Sequence, residues 1–385
     1  MRKDECIFMS KKRQLGFETV SEFLRGKLSR KEASELLGVR ERTISRMARR
    51  IETKGILGFV HGNRDRNPVN KKSDELKCSV MKLVQETYFD FNMTHCLEKL
   101  AEDHGIKVRY ETFRRWCHEY KHVKRAKRRK SVARMRRARM PNEGLLLQLD
   151  GSPHRYNGRD EWCLIAAIDD ATSDIPYAEF FPSEDTLSCM IVLQRIIEKK
   201  GIPYAIYVDK AGWLAGAKHH NFSQFKRACN ELGIRVIAAH SPEAKGRIER
   251  AWDTFQDRLI PEMRLRGIHR MPAANAYLKD QFLPNYWKQN NTVVARSPES
   301  RYRPLSAAYD LREILCIKDY RSVNRDHTAQ WDGATYQLDS PVKYSIHRQK
   351  IEIRTYSDLT WQAFYAGRPI PLTPVPQPQK LKLAA

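Results

Sequence analysis

Residues 121–139, KHVKRAKRRKSVARMRRAR, carry 11 basic residues and no acidic one. Like charges at that density repel, so this stretch gains nothing by folding on itself. Phosphates would stabilise it, with release of condensed counterions. It therefore separates two textures, a helical basic part before it and a strand-rich part after Pro141. Charge follows the same division. Of 70 Lys and Arg and 46 Asp and Glu, residues 1–140 hold 37 and 18, leaving 33 and 28 for the remainder. A net charge of +24 points to a polyanion, nucleic acid before an anionic membrane surface. Hydrophobic residues at 41% suffice for sizeable cores and argue against global disorder.

Other classes are disfavoured. No apolar run approaches the roughly 18 residues that would span a bilayer, and nothing signal-like follows Met1. The eight cysteines are scattered without a C-x-x-C pair, which fits reduced thiols in the cytoplasm rather than disulfides or zinc fingers. No membrane partner is expected.

The basic part reads as two helical modules. In residues 1–55, Ser29 is a candidate N-cap for a helix Arg30–Leu37, with Glu32 placed to complete a capping box. Gly38 supplies a sharp turn into a second helix, about Arg40–Glu52. Ser34 allows close helix approach and Ile44 plugs the gap. This is helix-turn-helix spacing, and Arg42, Ser45, Arg46 and Arg49 would face a major groove. Residues 53–73 have linker composition. A second helix-turn-helix-like module spans 74–120, with Gly105 as its turn. Phe113 and Trp116 are expected in its core, and Arg114 and Arg115 at DNA. In the basic linker 121–140, Lys124, Arg125, Lys127, Arg128, Arg129, Lys130, Arg136 and Arg137 are candidate phosphate contacts.

After Pro141 the pattern predicts strands at Leu145–Leu149, Trp162–Ile168 and Ile175–Phe181, with an Asn157-Gly158 hairpin signal between the first two. A helix Thr186–Lys200, a strand Pro203–Val208, a helix Phe222–Leu232, a strand Ile234–Ala238 and a long helix from Gly246 to about Arg266 follow. Three antiparallel strands, then helix, strand, helix, strand, helix, make a mixed α/β sheet covered on both faces. Short strands at Arg321–Val323, Ala334–Leu338, Val342–Ile346, Lys350–Thr355 and Trp361–Ala366 predict a small β-barrel over 318–370. Residues 374–385 are expected to be a disordered tail.

Three acids fall where this sheet would gather them. Asp150 ends the first strand, Asp209 the fourth, and Glu249 lies early in the last helix. Parallel strands one and four would bring both aspartates to one C-terminal edge. Asp169 and Asp170 are read as turn formers. His154 and His240 lie near the acids and could contact DNA or metal, with surface or packing roles preferred.

With these residues in view, the chain resembles the DDE transposase and retroviral-integrase superfamily. Pro242, Gly246 and Glu249 in SPEAKGRIE match the P-x-x-x-G-x-x-E pattern around the family's glutamate. LDGSPH at 149–154 and RIERAWDTFQDRL most resemble the ISNCY-type bacterial insertion-sequence transposases. The resemblance covers roughly residues 29–370 and implies an RNase H-like catalytic core over 141–285. It implies that Asp150, Asp209 and Glu249 bind Mg²⁺ or Mn²⁺, two ions per site, with Asp150 bridging. Metal-dependent strand cleavage and strand transfer at terminal inverted repeats would follow. Lys245, Arg247 and Arg250 flank Glu249 and could grip phosphates or equally be solvated. Partners implied are double-stranded DNA and further copies of the chain, at least a dimer.

The sequence also departs from the family. Lys210 follows Asp209 where integrases often have Asn, and Gln256 stands where many relatives carry Lys or Arg. Glu243 is a rival third ligand by spacing. Two other functions fit the same modules: a DNA-binding regulator with an inert core, and a nuclease that hydrolyses without joining.

Overall fold

Ser29 caps the second helix of the chain in the predicted way. Its hydroxyl accepts the Glu32 N–H at 3.2 Å, and the Glu32 carboxylate accepts the Ser29 N–H at 2.7 Å. The computed structural model describes residues 11–59, 71–122, 138–209, 217–239, 246–339 and 344–376. Within these, the side chains of 11–13, 59, 209, 217–222 and 239 are outside the description. The chain divides into two compact units, residues 1–79 and 80–385.

In the first unit, α1 (Lys11–Leu24), α2 (Arg30–Leu37) and α3 (Glu41–Lys54) enclose a core of Val20, Ala33, Ile44 and Ala48. Gly38 takes the left-handed conformation at φ 60°, which a β-carbon would disfavour, and so lets the chain turn between α2 and α3. Ile44 is fully buried, as its spacing predicts. Ala33 rather than Ser34 makes the close approach; Ser34 is half-buried and spends its hydroxyl on the Lys31 carbonyl. Arg42, Arg46 and Arg49 are exposed on α3 and Ser45 is half-buried beside them.

α4 (Asp74–Glu86) leads into α5 (Met93–His104) and α6 (Tyr110–Glu119), with Gly105 left-handed between the last two. Phe113 and Trp116 are buried, confirming a packing role, while Arg114 and Arg115 are exposed. Arg114 pairs with Glu111 one turn earlier at 3.1 Å.

The central sheet is built from β1 (Leu147–His154), β2 (Trp162–Asp169), β3 (Tyr177–Phe181), β4 (Ala205–Asp209) and β5 (Arg235–Ala239). Its order is β3-β2-β1-β4-β5. β2 lies between β1 and β3 and runs antiparallel to both, and β4 and β5 run parallel to β1. α7 (Thr186–Lys200) and α8 (Ala217–Glu231) connect the parallel strands. Every residue of β2 is buried, because both faces of the sheet are covered. Leu147, Leu149, Ile165, Ile206 and Val208 pack against α7 and α8. Leu164, Ala166 and Phe180 face the opposite layer of Ile248, Trp252 and Phe255.

That second layer starts with α9 (Gly246–Thr254), widens into a π-helical stretch Phe255–Leu259, and continues as α10 (Ile260–Leu265). Pro261 explains the widening. Inside a helix it has no N–H to donate and its ring crowds the preceding turn. The predicted single long helix is thus continuous but locally unwound. α11 (Met271–Tyr277) covers the edge of the sheet. Asn275 accepts the Phe180 N–H at 2.7 Å and donates to its carbonyl at 3.1 Å, satisfying the open side of β3.

The helices before the sheet pack on this layer. His95 of α5 meets Glu262 of α10 at 2.7 Å, with Lys99 at 3.3 Å and Arg266 also on the same carboxylate. Arg264 forks onto Asp90 and lies 4.4 Å over Phe89.

Past α12 (Lys288–Asn290) and α13 (Leu311–Ile314), seven short strands share one core of Val323, Ala329, Leu338, Ile346, Ile351, Ile353, Ala363 and Ile370. They are β6 (Ile317–Ser322), β7 (Thr328–Trp331), β8 (Ala334–Leu338), β9 (Lys350–Thr355), β10 (Trp361–Tyr365), β11 (Arg368–Ile370) and β12 (Leu372–Pro374). Among the described residues they form two hydrogen-bonded sheets, β11-β10-β9-β6 and β12-β8-β7, rather than one closed ring. The strand expected at Val342–Ile346 is absent over 344–346, and its start lies outside the described residues. Residues 123–137 of the basic linker and 377–385 of the tail also lie outside them.

Candidate active site

β1 runs four residues beyond Asp150, further than the sequence pattern suggests. The reason is its antiparallel partner. β2 pairs with β1 from Leu147↔Asp169 to His154↔Trp162, whereas β4 pairs only at Leu147↔Ile206 and Gln148↔Tyr207. Asp150 therefore sits just past the last pairing of β1 with its parallel neighbour. Two residues beyond the Gln148↔Tyr207 pair, the register brings Asp150 and Asp209 to the same level, and Asp209 also pairs with Ala239 of β5. This is the C-terminal edge of the parallel strands, where open α/β sheets place their chemistry.

The even-numbered residues of β1 hold α9. Gln148 accepts the Ile248 N–H at 3.3 Å, Asp150 Oδ2 accepts the Trp252 indole N–H at 3.1 Å, and Ser152 Oγ accepts from Gln256 Nε2 at 3.4 Å. Successive bonds lie two residues apart on the strand and about four apart on the helix, so strand and helix run alongside each other. Glu249 is exposed in the first turn of α9, three residues before Trp252 and hence on the helix side that reaches Asp150. Trp252, one turn on from Glu249, is therefore the contact that joins α9 to Asp150, and Asp209 ends β4 two residues past the last β1–β4 pair.

Trp252, Gln148 and Ser152 were missed from sequence. Their signal was present: i, i+3 spacing of Glu249 and Trp252, and period-two spacing of Gln148, Asp150 and Ser152. Gln256 completes a chain in which Tyr156 donates to Ser152 at 3.0 Å. Burial pushes the Tyr156 hydroxyl up to about 12, so it remains a donor at neutral pH.

The two adjacent aspartates differ. Asp169 makes the expected turn, its Oδ1 accepting from the Ala171 and Thr172 N–H groups and its Oδ2 from Gly144. Burial leaves its carboxyl above the usual range despite those bonds. Asp170 does more than turn the chain, because Met140, Gln148 and Arg247 all converge on its buried carboxylate. Arg247, read from sequence as a phosphate contact, is mostly buried against Asp170 at 3.1 Å, which gives it a structural role. Arg250 is exposed and bonds the Gly246 carbonyl at 2.8 Å. His154 stacks edge-on against Tyr156, consistent with packing. Glu243, Lys245 and His240 lie outside the described residues, as do the eight candidate phosphate contacts named in the linker. Among the described side chains, which do not include that of Asp209, no three His, Cys, Asp or Glu converge as a metal cluster.

A mixed sheet of this order carries acids on β1, at the end of β4 and at the start of the helix after β5, the order expected of DDE transposases and integrases. The chain belongs to the transposases. It is 32% identical over 388 residues to a putative transposase, y4bF, of Sinorhizobium fredii, covering 98% of this chain and 84% of the relative. It is 32% identical over 295 residues to the transposase for insertion sequence IS1202 of Streptococcus pneumoniae, covering 66% and 63%. No family model matches. Among solved structures, a simian T-cell lymphotropic virus intasome in complex with a PP2A regulatory subunit covers 78% of this chain and all of its own, at 15% identity and TM-score 0.34. The HTLV-2 integrase catalytic core domain in complex with magnesium covers 36% and 89%, at 15% identity and TM-score 0.28. Among the described residues, no helix is long and apolar enough to cross a membrane.

Proposed function

We propose that this transposase binds the terminal inverted repeats of its element and cuts and joins DNA at Asp150, Asp209 and Glu249. The observation that supports this reading is the β1–β4 register, whose last pair, Gln148↔Tyr207, lies two residues before both Asp150 and Asp209, together with the bond from α9 to Asp150 through Trp252, three residues after Glu249. The donor set fits Mg²⁺ or Mn²⁺, because all three groups are hard carboxylate oxygens and the position of Glu249 is open to solvent. A pair of such ions, once bound, would activate the attacking water or 3′-hydroxyl and stabilise the leaving 3′-oxygen. The protein's own part is to hold the acids. Trp252 fixes one oxygen of Asp150, and Gln148 fixes the first turn of the Glu249 helix.

DNA reading falls to two helix-turn-helix modules, residues 1–55 and 74–120. α3 would present Arg42, Ser45, Arg46 and Arg49 to a groove, and α6 would present Arg114 and Arg115. The basic linker 121–140, with Lys245 and Arg250, would hold phosphates. The core spans 141–285 and a small, partly open barrel spans 318–370. Two element ends must be held together, so at least a dimer on DNA is expected. Labelled element ends incubated with the full chain and Mg²⁺ test this. Joined products that vanish with Asp150→Asn, while end binding persists, support the reading; joining by that variant at the wild-type rate refutes it.

A further inference from the structure

Asp170 is fully buried, and donors from three different segments meet on it. Oδ2 takes the Met140 N–H at 2.9 Å. Oδ1 takes Gln148 Nε2 at 2.9 Å and pairs with Arg247 Nε at 3.1 Å. The Asp170 carbonyl accepts from Arg247 at 3.2 Å and from Arg139 at 3.3 Å. Gln148, equally buried, uses its other end to accept the Ile248 N–H. The two residues immediately before Glu249 are therefore tied to two buried polar side chains, one two residues before Asp150 and one just past the end of β2.

Apolar contacts alone tolerate small slides of a helix along a strand. Directional bonds in a buried setting do not, since each lost partner leaves a desolvated polar group. Metal coordination has the same intolerance, because Mg²⁺ demands near-ideal geometry at about 2.0–2.1 Å. Resting on the acid-site reading above, we propose that Asp170, acting through Gln148 and Arg247, is a positioning residue that sets the height of Glu249 against Asp150. The end of the basic linker, Arg139 and Met140, is anchored at the same point.

The test is Mn²⁺ binding by the full chain, followed by electron paramagnetic resonance with no DNA present. Gln148→Met keeps the side-chain length and removes both of its bonds; Asp170→Asn turns one acceptor oxygen into a donor facing donors. Each is expected to weaken Mn²⁺ binding about tenfold while α3-directed end binding is unchanged. The decisive measurement is a double-mutant cycle with Glu249→Gln. Adding Gln148→Met to Glu249→Gln should cost no further affinity, because the seat has nothing left to position. Strictly additive losses, or unchanged affinity in folded Gln148→Met, overturn the positioning role alone. If wild type binds Mn²⁺ no better than Asp150→Asn, the acid-site reading and this inference fall together.

Discussion

Trp252 of α9 donates its indole N–H to Oδ2 of Asp150 on β1 at 3.1 Å, across 102 residues of sequence. The bond leaves the acid oriented while the ring itself packs against Phe255. Trp252→Phe keeps an aromatic ring and removes the donor. Nicking at saturating Mg²⁺ should slow by about tenfold, matching about 1–2 kcal/mol for a bond to a charged group. End binding measured by gel shift should be unaffected. Equal nicking rates would show that the indole N–H does not orient the acid.

Removing a carboxylate has a larger effect than disturbing its orientation. Asp150→Asn, Asp209→Asn and Glu249→Gln should each lower nicking by more than about a hundredfold, since several kcal/mol of metal-held stabilisation disappear. Mn²⁺ titration of each variant checks that the loss tracks metal binding. Wild-type activity in the Glu249→Gln chain would move the third ligand elsewhere, with Glu243 the first alternative.

In the N-terminal unit, core and DNA face should separate cleanly. Ile44 is fully buried, so Ile44→Ala should cost about 2–4 kcal/mol by chemical denaturation. Arg46 is exposed on the same helix. Arg46→Ala should change stability by less than about 0.5 kcal/mol yet weaken end binding, with the slope of log affinity against log salt reduced by about 1. An unchanged salt slope would remove Arg46 from the DNA face.

Glu262 predicts an acid limit. Burial would raise its carboxyl, but His95, Lys99 and Arg266 outweigh that and hold it at about 2, below the ordinary 4.5. A lowered folded value stabilises above the ordinary one, so this contribution is intact above about pH 4.5 and is lost as pH falls toward about 2. Glu262→Gln leaves Lys99 and Arg266 without their shared anion and should cost about 3 kcal/mol at neutral pH. It should also flatten the acid limb of a stability-versus-pH curve; an unchanged limb would assign the acid sensitivity to other carboxylates.

Local grammar was readable in one dimension. Ser29, Glu32 and Gly38 act within a few residues of each other, so their cap and turn follow from spacing alone. The helix Thr186–Lys200 and the strand-helix alternation that produces the five-stranded sheet follow from periodicity for the same reason. The three acids were chosen on marks of the same kind, strand ends and the Pro/Gly frame before Glu249, and for them the fold supplies the strand register and the Trp252 bond to Asp150. Other features depended on partners far away in the chain. β1 outruns its predicted end because β2 continues beside it. The helix from Gly246 unwinds over Phe255–Leu259 because it must accommodate Pro261 while remaining on the sheet. Arg247 looks like any solvated cation until Asp170 is brought beside it. Sequence by itself determined which residues could form caps, strands and an acid set, since those depend on nearest neighbours. Only the tertiary structure decided which polar groups are spent inside, because desolvation forces a buried donor or acceptor to take whatever partner the packing delivers.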